Sequence, residues 1–366
     1  MKPATEPLQR PRDARLLVVD ADGRIAHRQR SALAEVLHRG DLVVANDAAT
    51  WPASLAGSHV PTGAAIEVRL AGRRSLAADD VRTFTAVVFG DGDHRTPTEQ
   101  RPLPPALAVG DVLTLGPLVA RVARLLDHPR LVELRFDGTA DAIRAGIARH
   151  GRPVQYAHLA APLALWDVWT RIAALPAAFE PPSAGFVLDW HLLDRLAARG
   201  VGFATLTHAA GLSSTGDAEL DARLPLDEPY RIPATTIDAI AAARRRGGRI
   251  VALGTTVARA LEHAAARPGG IAAGAGVADN RLGPATMLRV VDAIVSGSHE
   301  PGTSHHALLR AFVTAPTLAR IDAELDACGY RTHEFGDSVW IERSARTHTA
   351  PAALSCCGAI LDALSA

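Results

Sequence analysis

The chain has 366 residues, of which 48% are hydrophobic and 21% are charged. This length and composition predict a folded globular protein with room for two domains, and they exclude an intrinsically disordered chain. The 39 basic residues balance the 39 acidic ones, which excludes a global positive field of the kind that attracts nucleic acids.

Signals for export, membrane insertion and metal binding are absent from the sequence. No apolar run reaches the ~18 residues of a membrane span, and no apolar core follows the first residues, so we expect a protein that is neither embedded nor exported. Cys328, Cys356 and Cys357 have neither metal-ligand spacing nor the even number of a disulfide framework, which predicts a reducing cytoplasm. Without a His-x-x-x-His pair or a Cys-x-x-Cys we expect no metal site. The oligomeric state stays open, with a monomer favoured.

The N-terminal segment has the pattern of a hairpin followed by a helix and a strand. Residues 15–19 and 23–27 are strand-like and flank a turn that contains Asp20 and Asp22. A helix is predicted from about Ser31 to His38, and an apolar strand from Leu42 to Ala45.

From Thr62 to about Phe136 the pattern changes to short β runs separated by Gly, Pro and Asp. The predicted strands are residues 65–70, 84–89, 112–115, 119–125 and 131–136. This spacing predicts a small antiparallel barrel inserted into a larger domain. We therefore expect a main α/β domain of residues 1–60 and 151–366, with a β-barrel domain of residues 61–150.

After residue 151 the spacing is again typical of α/β structure. Predicted elements are a helix from His191 to Arg199, a strand from Gly202 to Thr207, a helix from Thr235 to Arg246 and a loop from Arg267 to Asn280. Thr235 and Thr236 are expected to cap the second helix, and Gly247 to end it. The basic residues 244–246 are expected to interact with the dipole at that helix end.

The segment from Arg249 to Glu262 predicts a strand, a tight turn and a helix. Gly254-Thr255-Thr256 would place unpaired N–H groups and two hydroxyls at the end of the strand, where open α/β sheets hold charged ligands. Arg259, one turn into the helix, could pair with a carboxylate or phosphate. Ordinary helix capping explains the same hydroxyls.

Several segments along the chain are similar, in the same order, to the motifs of one family. They are residues 40–47 with Pro52-Ala53, Thr62-Gly63 with residues 66–68, Pro182-Ser183-Ala184-Gly185, residues 254–262, and His299-Glu300-Pro301 with Thr303 and Ser304. Together they resemble the S-adenosylmethionine:tRNA ribosyltransferase-isomerases of queuosine biosynthesis, from about Asp13 to Glu342. The resemblance also implies an α/β domain with an inserted barrel.

Departures from the family motifs fall where chemistry is expected. Val187 stands at a histidine position and Asp189 at a threonine position, while Ala49 and Ser54 stand at two arginine positions. The segment ending in Glu228 keeps the family's carboxylate without its histidine. These losses favour a divergent or repurposed member.

The resemblance implies a reaction in which S-adenosylmethionine, the cosubstrate, gives its ribosyl group to a base in tRNA. Transfer and isomerisation onto 7-aminomethyl-7-deazaguanine would give epoxyqueuosine and release adenine and methionine. A base that removes the C5′ proton next to the sulfonium is needed, and a metal is not. Two alternatives remain open: a relative that uses a small-molecule amine acceptor, and a non-catalytic relative that binds a nucleotide or tRNA.

Candidate residues follow from these requirements. For the methionine carboxylate we expect Gly254, Thr255, Thr256 and Arg259, and for a backbone wall beside the nucleoside we expect Ser183, Ala184 and Gly185. The candidate bases are Asp47, His208, Glu228 and His299, for which a turn cap, a structural imidazole or a solvated carboxylate are the plain alternatives. Trp166, Trp169 and Trp190 could stack on a base, although packing on a helix face is favoured.

Overall fold

The structure, a computed structural model, describes residues 1–344. Its strands are β1 (Lys2–Pro3), β2 (Arg15–Val19), β3 (Ile25–Gln29), β4 (Leu42–Asn46), β5 (Ala48–Thr50), β6 (Ser54–His59), β7 (Ala64–Gly72), β8 (Thr83–Phe89), β9 (Val112–Leu115), β10 (Leu118–Leu125), β11 (Leu131–Phe136), β12 (Leu175–Ala178), β13 (Gly202–His208), β14 (Glu228–Ile232), β15 (Ile250–Leu253), β16 (Gly274–Ala278), β17 (Ala293–Gly297), β18 (Arg331–Thr332) and β19 (Ser338–Glu342).

The α-helices are α1 (Ala140–His150), α2 (Leu165–Val168), α3 (Trp190–Ala198), α4 (Ala218–Asp221), α5 (Ala234–Arg245), α6 (Thr255–Ala266), α7 (Ser304–Leu309) and α8 (Ala315–Ala327), and short 3-10 helices span Arg30–Glu35, Thr98–Gln100 and Ser183–Val187. Within residues 1–344, no helix combines the length and apolar character that crossing a bilayer requires. Cys328 is exposed, whereas Cys356 and Cys357 lie outside the described residues.

The larger sheet has the strand order β16-β14-β13-β4-β15-β17-β19-β2-β3. Its central strands β13, β4, β15 and β17 run parallel, and β14, β16 and β19 are added antiparallel at their sides. Parallel neighbours bring their carboxyl ends to one edge, which is where open α/β sheets bind ligands. The residues after β4, β13, β15 and β17 therefore meet at this edge.

Apolar side chains cover both faces of this sheet. On one face α5, α6 and α8 contribute residues such as Ile240, Leu261 and Ile321. On the other face α3 and the first 3-10 helix contribute Leu192 and Leu33. Strands buried on both faces are continuous apolar runs, and this explains why the sequence predicted β4 and β15 within one residue of their observed ends.

The inserted antiparallel barrel is confirmed, and it is closed in the order β10-β11-β8-β7-β6-β9. All five predicted β runs are strands of this barrel. Its sixth strand, β6, was not predicted. It lies wholly before residue 61, where we expected the barrel domain to begin. Gly57 weakens the strand pattern there, but a Cβ at Gly57 would lie 2.0 Å from the carbonyl oxygen of Thr114, so the closed barrel needs a glycine. Where the chain leaves and re-enters the main sheet, β5 pairs with β12.

Two predicted elements were wrong in type. The helix expected at residues 31–38 is the 3-10 helix Arg30–Glu35, whose N-cap residue Gln29 supplies no side-chain hydrogen bond. The loop expected at residues 267–280 contains β16, which pairs with β14 at the sheet edge. Its glycines hid this strand from a propensity argument. Gly276 is needed because a Cβ there would lie 2.5 Å from the Tyr230 hydroxyl oxygen.

The boundaries of the predicted helices α3 and α5 differ by about one residue from those observed, but one predicted cap is wrong. Pro233, not a threonine, is the N-cap residue of α5. The hydroxyl of Thr236 instead donates to the carbonyl oxygen of Thr205 at 2.6 Å, which ties α5 to β13. Gly247 does end the helix, with φ 71°.

Gly254 should be the least replaceable residue of the turn between β15 and α6. Its φ is 105° and ψ 154°, a region open essentially to glycine alone, and an added Cβ would lie 3.3 Å from the Cβ of Ala184. We expect Gly254→Ala to lower the free energy of unfolding by about 1–3 kcal/mol, measured by urea denaturation. Gly247→Asn is the control and should cost less, because asparagine tolerates φ near 71° and nothing lies within 4 Å. Equal losses would contradict this account.

Candidate ligand-binding site

A cavity of about 350 Å³ opens at the carboxyl edge of the parallel strands. This volume is within the range of small-molecule sites. Eight of the predicted site residues line it, namely Ser183, Ala184, Glu228, Gly254, Thr255, Thr256, Arg259 and His299. Asp47, Gly185 and His208 are not part of its lining. The fold thus brings together most of the residues expected to bind the ligand, but only two of the four candidate bases.

The start of α6 forms one wall of the cavity. Gly254 is its N-cap and has no side chain to accept a bond from the first turn, so the first N–H groups of the helix have no capping acceptor. Thr255 and Thr256 add hydroxyls beside them, and the Nδ2 of Asn46 lies 3.4 Å from Oγ1 of Thr256. The positive end of the helix dipole and these donors make the wall suited to an anion.

Arg259 lies one turn into α6, as predicted, but the structure gives it a carboxylate of the protein itself. Its Nη1 donates to Oε2 of Glu228. Its other donors bind the carbonyl oxygens of Leu226 at 2.9 Å, Ala278 at 2.6 Å and Asn280 at 2.9 Å. The hydrogen bonds of the guanidinium therefore go to residues in or next to β14 and β16. The group affects the cavity through its positive charge.

Glu228 is held by this pair and by the main chain. Its Oε1 accepts a hydrogen bond from the N–H of Gly211 at 2.5 Å. Burial raises the pKa of Glu228, and the charge of Arg259 opposes part of that shift. A carboxylate with these partners is poorly placed to accept a proton from a substrate, because protonation would leave the Arg259 charge buried and unpaired.

His208 and Asp47 have structural environments. His208 is fully buried, with its Nε2 3.5 Å from Oε2 of Glu228. Burial, with a smaller effect of the Arg259 charge, lowers the pKa of His208 to about 3, so its imidazole is neutral at pH 7. Asp47 accepts hydrogen bonds from the hydroxyls of Thr205 and Thr207, at 2.8 and 2.7 Å, and so fastens the end of β4 to β13.

His299 lines the cavity on the side of β17. Its Nε2 lies 2.8 Å from Oγ of Ser296, and its ring stacks on His305 with centroids 4.9 Å apart. Burial, aided by neighbouring histidines, lowers the pKa of His299 well below its usual value. The imidazole is therefore neutral near pH 7 and can take part in hydrogen bonding to a ligand.

Glu180 is a cavity residue that the sequence argument missed. It is 7% exposed, and its Oε1 accepts a hydrogen bond from the hydroxyl of Tyr156. Burial, followed by the nearby charge of Glu334, raises the pKa of Glu180 to about 7. Its position two residues before Pro182-Ser183 is the only signal the sequence offered, since a lone carboxylate between Phe and Pro has no recognisable spacing.

Residues that depart from the family motifs have interior roles. Val187 is buried in the core between the sheet and α3, and Asp189 caps α3 by accepting from the N–H of Leu192 at 2.7 Å. Ser54 donates to Oε1 of Glu67 at 2.8 Å in the barrel. These three side chains have structural roles at positions where the family motifs carry histidine, threonine and arginine.

The tryptophans do not line the cavity. Trp166 is 77% exposed and Trp190 is 72% exposed, so the favoured packing role is wrong for both. Trp169 is less exposed, and its Nε1 donates to the carbonyl oxygen of Thr50 at 2.9 Å.

The chain has an α/β sheet with an inserted barrel, and its candidate ligand-binding cavity lies at the carboxyl ends of the parallel strands. The family model described as "Queuosine biosynthesis protein" matches residues 2–341. This chain belongs to that family.

Two relatives named S-adenosylmethionine:tRNA ribosyltransferase-isomerase illustrate the similarity. The protein of Pelobacter propionicus is 33% identical over 338 residues, which cover 90% of this chain and 93% of the relative. The protein of Sorangium cellulosum is 32% identical over 360 residues, with 92% and 94% covered. The crystal structure of S-adenosylmethionine tRNA ribosyltransferase from Thermotoga maritima is 24% identical, covers 93% of this chain and 94% of that chain, and has a TM-score of 0.47.

Breaking the pair of Arg259 and Glu228 should destabilise the whole chain. Arg259→Ala leaves the Glu228 carboxylate buried without its cation, so we expect a loss of about 3–5 kcal/mol in the free energy of unfolding, measured by urea denaturation. The double variant Arg259→Met with Glu228→Gln removes both charges, so it should lose less free energy of unfolding than Arg259→Met alone or Glu228→Gln alone. A double variant as unstable as the sum of its parts would show that the two residues act independently.

Proposed function

We propose that this protein is a ribosyltransferase-isomerase that uses S-adenosylmethionine as cosubstrate. It transfers and isomerises the ribosyl group onto the 7-aminomethyl-7-deazaguanine base of tRNA, gives epoxyqueuosine, and releases adenine and methionine. Family membership supports this activity, and so does the name that the relatives share. The partner is therefore tRNA, and the compartment is the cytoplasm.

The observation that carries the proposal is the arrangement of the cavity. The cavity is lined by the uncapped start of α6 and by two ionisable residues, Glu180 and His299. S-adenosylmethionine has a carboxylate at one end of its amino-acid part and a sulfonium next to the ribose C5′. The cavity offers donors for the first group and proton acceptors for the second.

The methionine carboxylate binds at the start of α6 in this proposal. The N–H groups of the first turn and the hydroxyls of Thr255 and Thr256 supply its hydrogen bonds. Arg259 contributes the field of a buried cation, while its own hydrogen bonds go to the protein. Ser183 and Ala184 face the same space and limit how the nucleoside can lie.

Glu180 is the base that we assign to the C5′ proton. The sulfonium acidifies that carbon, and a base is most effective when its pKa lies close to the working pH. The pKa of Glu180, about 7, meets this condition. The pKa of His299 lies too low, and Glu228 is held by Arg259.

The activity itself should be visible as coupled product release. Incubation with S-adenosylmethionine and tRNA that carries the 7-aminomethyl-7-deazaguanine base should release adenine and methionine in equal amounts, and the tRNA should gain the mass of the ribosyl-derived group. The control is the same tRNA with guanine at that position, which should not react. Turnover with a small amine in place of tRNA would move the assignment to a different acceptor.

Replacing Glu180 should affect the rate more than binding. We expect Glu180→Gln to lower kcat about 100-fold to 10,000-fold with little change in the affinity for S-adenosylmethionine. In the unaltered protein, kcat/KM should fall as pH decreases through about 7, since the base must be ionised.

Tyr156→Phe is a matched control for this assignment. The Tyr156 hydroxyl bond lowers the pKa of Glu180, so its removal should shift the acid limb of the pH profile to higher pH. An acid limb that is unchanged in Tyr156→Phe, or a Glu180→Gln variant with full activity, would place the base elsewhere.

A further inference from the structure

Three side chains with metal-binding atoms, two of them in the cavity lining, lie close together. His158 comes from the segment after the barrel, and His333 and Glu334 come from the loop between β18 and β19. One nitrogen or oxygen atom from each residue lies within 4.8 Å of the other two. Two imidazoles with one carboxylate are a ligand set of catalytic zinc sites.

The distances between these atoms are close to those of a metal site. Nε2 of His158 lies 3.4 Å from Oε2 of Glu334. Two ligand atoms that are each about 2.1 Å from a tetrahedral Zn²⁺ ion are roughly 3.4 Å apart. The ring of His333 stacks on that of His158 with centroids 4.2 Å apart, and one of its ring nitrogens lies within 4.8 Å of the ligand atoms of His158 and Glu334.

Within the described residues, the contact between His158 and Glu334 is a long ion pair rather than a well-formed hydrogen bond. Nε2 of His158 and Oε2 of Glu334 are buried and face each other at 3.4 Å, and neither atom has a hydrogen bond of good geometry among the described residues. Buried polar atoms are normally satisfied, so a pair of unsatisfied atoms at this separation needs an explanation. A cation placed between them would supply it.

The backbone at His333 is unusual as well. Its φ is 67°, and within residues 1–344 it is the one residue other than glycine with a positive φ. Such conformations are costly and concentrate at functional sites. His333 and Glu334 both line the cavity, so an ion held by them would keep a coordination position open toward the ligand.

We propose that His158, His333 and Glu334 bind one Zn²⁺ ion, with a fourth position open to the cavity. Glu300, whose Oε1 lies 4.0 Å from Nε2 of His333, adds negative charge that favours a cation. The proposal concerns binding by this cluster alone. Because Zn²⁺ at Glu334 would lower the pKa of Glu180, which the charge of Glu334 helps to raise, the pH profile proposed above refers to the metal-free protein.

A second group of similar residues provides the comparison. His27, Glu324 and Cys328 also have ligand atoms within 4.8 Å of one another. Their atoms already have partners, because the two ring nitrogens of His27 lie 2.9 Å from the Tyr330 hydroxyl and 3.0 Å from Glu324. That group lies at the surface and shows none of the unsatisfied atoms of the first.

Metal titration of the full-length protein tests the proposal. Protein treated with EDTA and dialysed is titrated with Co²⁺, whose visible absorption reports four-coordinate binding, and then with Zn²⁺ in competition. We expect one ion per chain. Glu334→Gln and His333→Asn should each weaken binding by about 100-fold or more. Asparagine tolerates positive φ, so the second variant keeps the loop conformation.

His27→Ala is the matched control and should bind the ion as the unaltered protein does. A second readout is thermal unfolding, in which Zn²⁺ should raise the Tm of the unaltered protein and of His27→Ala, but not that of Glu334→Gln. The proposal is overturned if the Co²⁺ absorption persists in Glu334→Gln and His333→Asn, if it is lost in His27→Ala, or if no stoichiometric binding occurs.

Discussion

The buried ion pair of Arg259 and Glu228 is the constraint on which the geometry of this site depends. Glu228 begins β14, Arg259 lies in the first turns of α6, and the remaining guanidinium donors bind carbonyl oxygens near β14 and at the end of β16. Transfer of two charges out of water costs several kcal/mol per ion. A buried ion pair is therefore stable only when the remaining polar atoms of both groups also have hydrogen-bond partners. Strands β14 and β16, at one edge of the sheet, and the start of α6, which lines the cavity, are therefore held in one arrangement.

The cavity is lined by two chemically different sets of groups. The helix start at Gly254 presents uncapped N–H groups and hydroxyls, which suit a carboxylate. Glu180 and Glu334 also line the cavity, together with the imidazoles of His299 and His333, and burial raises the pKa of Glu180 to about 7. The cosubstrate that we propose carries a carboxylate and a sulfonium, and these two sets of groups are complementary to those two charges.

The residues that depart from the family motifs serve the fold, and other residues supply the ionisable groups of the cavity. Val187 and Asp189 replace motif residues with core packing and a helix cap, and Ser54 completes a hydrogen bond in the barrel. These positions serve the fold. The ionisable groups of this cavity instead include Glu180 and His333, which no motif comparison had selected. The chain thus belongs to the queuosine biosynthesis family, but the chemistry of its cavity has to be read from the three-dimensional arrangement and not from the motifs.

Local patterns in the sequence determined the parallel strands β4, β13 and β15, five barrel strands and the Gly254 turn, because apolar periodicity and glycine backbone freedom act over a few residues. They did not reveal the parallel strand β17. They also failed at β16, where Gly276, which the packing of Tyr230 requires, and the neighbouring glycines are typical of a loop. Only the tertiary structure decided the partner of Arg259, the desolvation of Glu180 and the meeting of His158 with Glu334. Charge pairing and burial depend on segments far apart in the chain, and no spacing along the sequence encodes them.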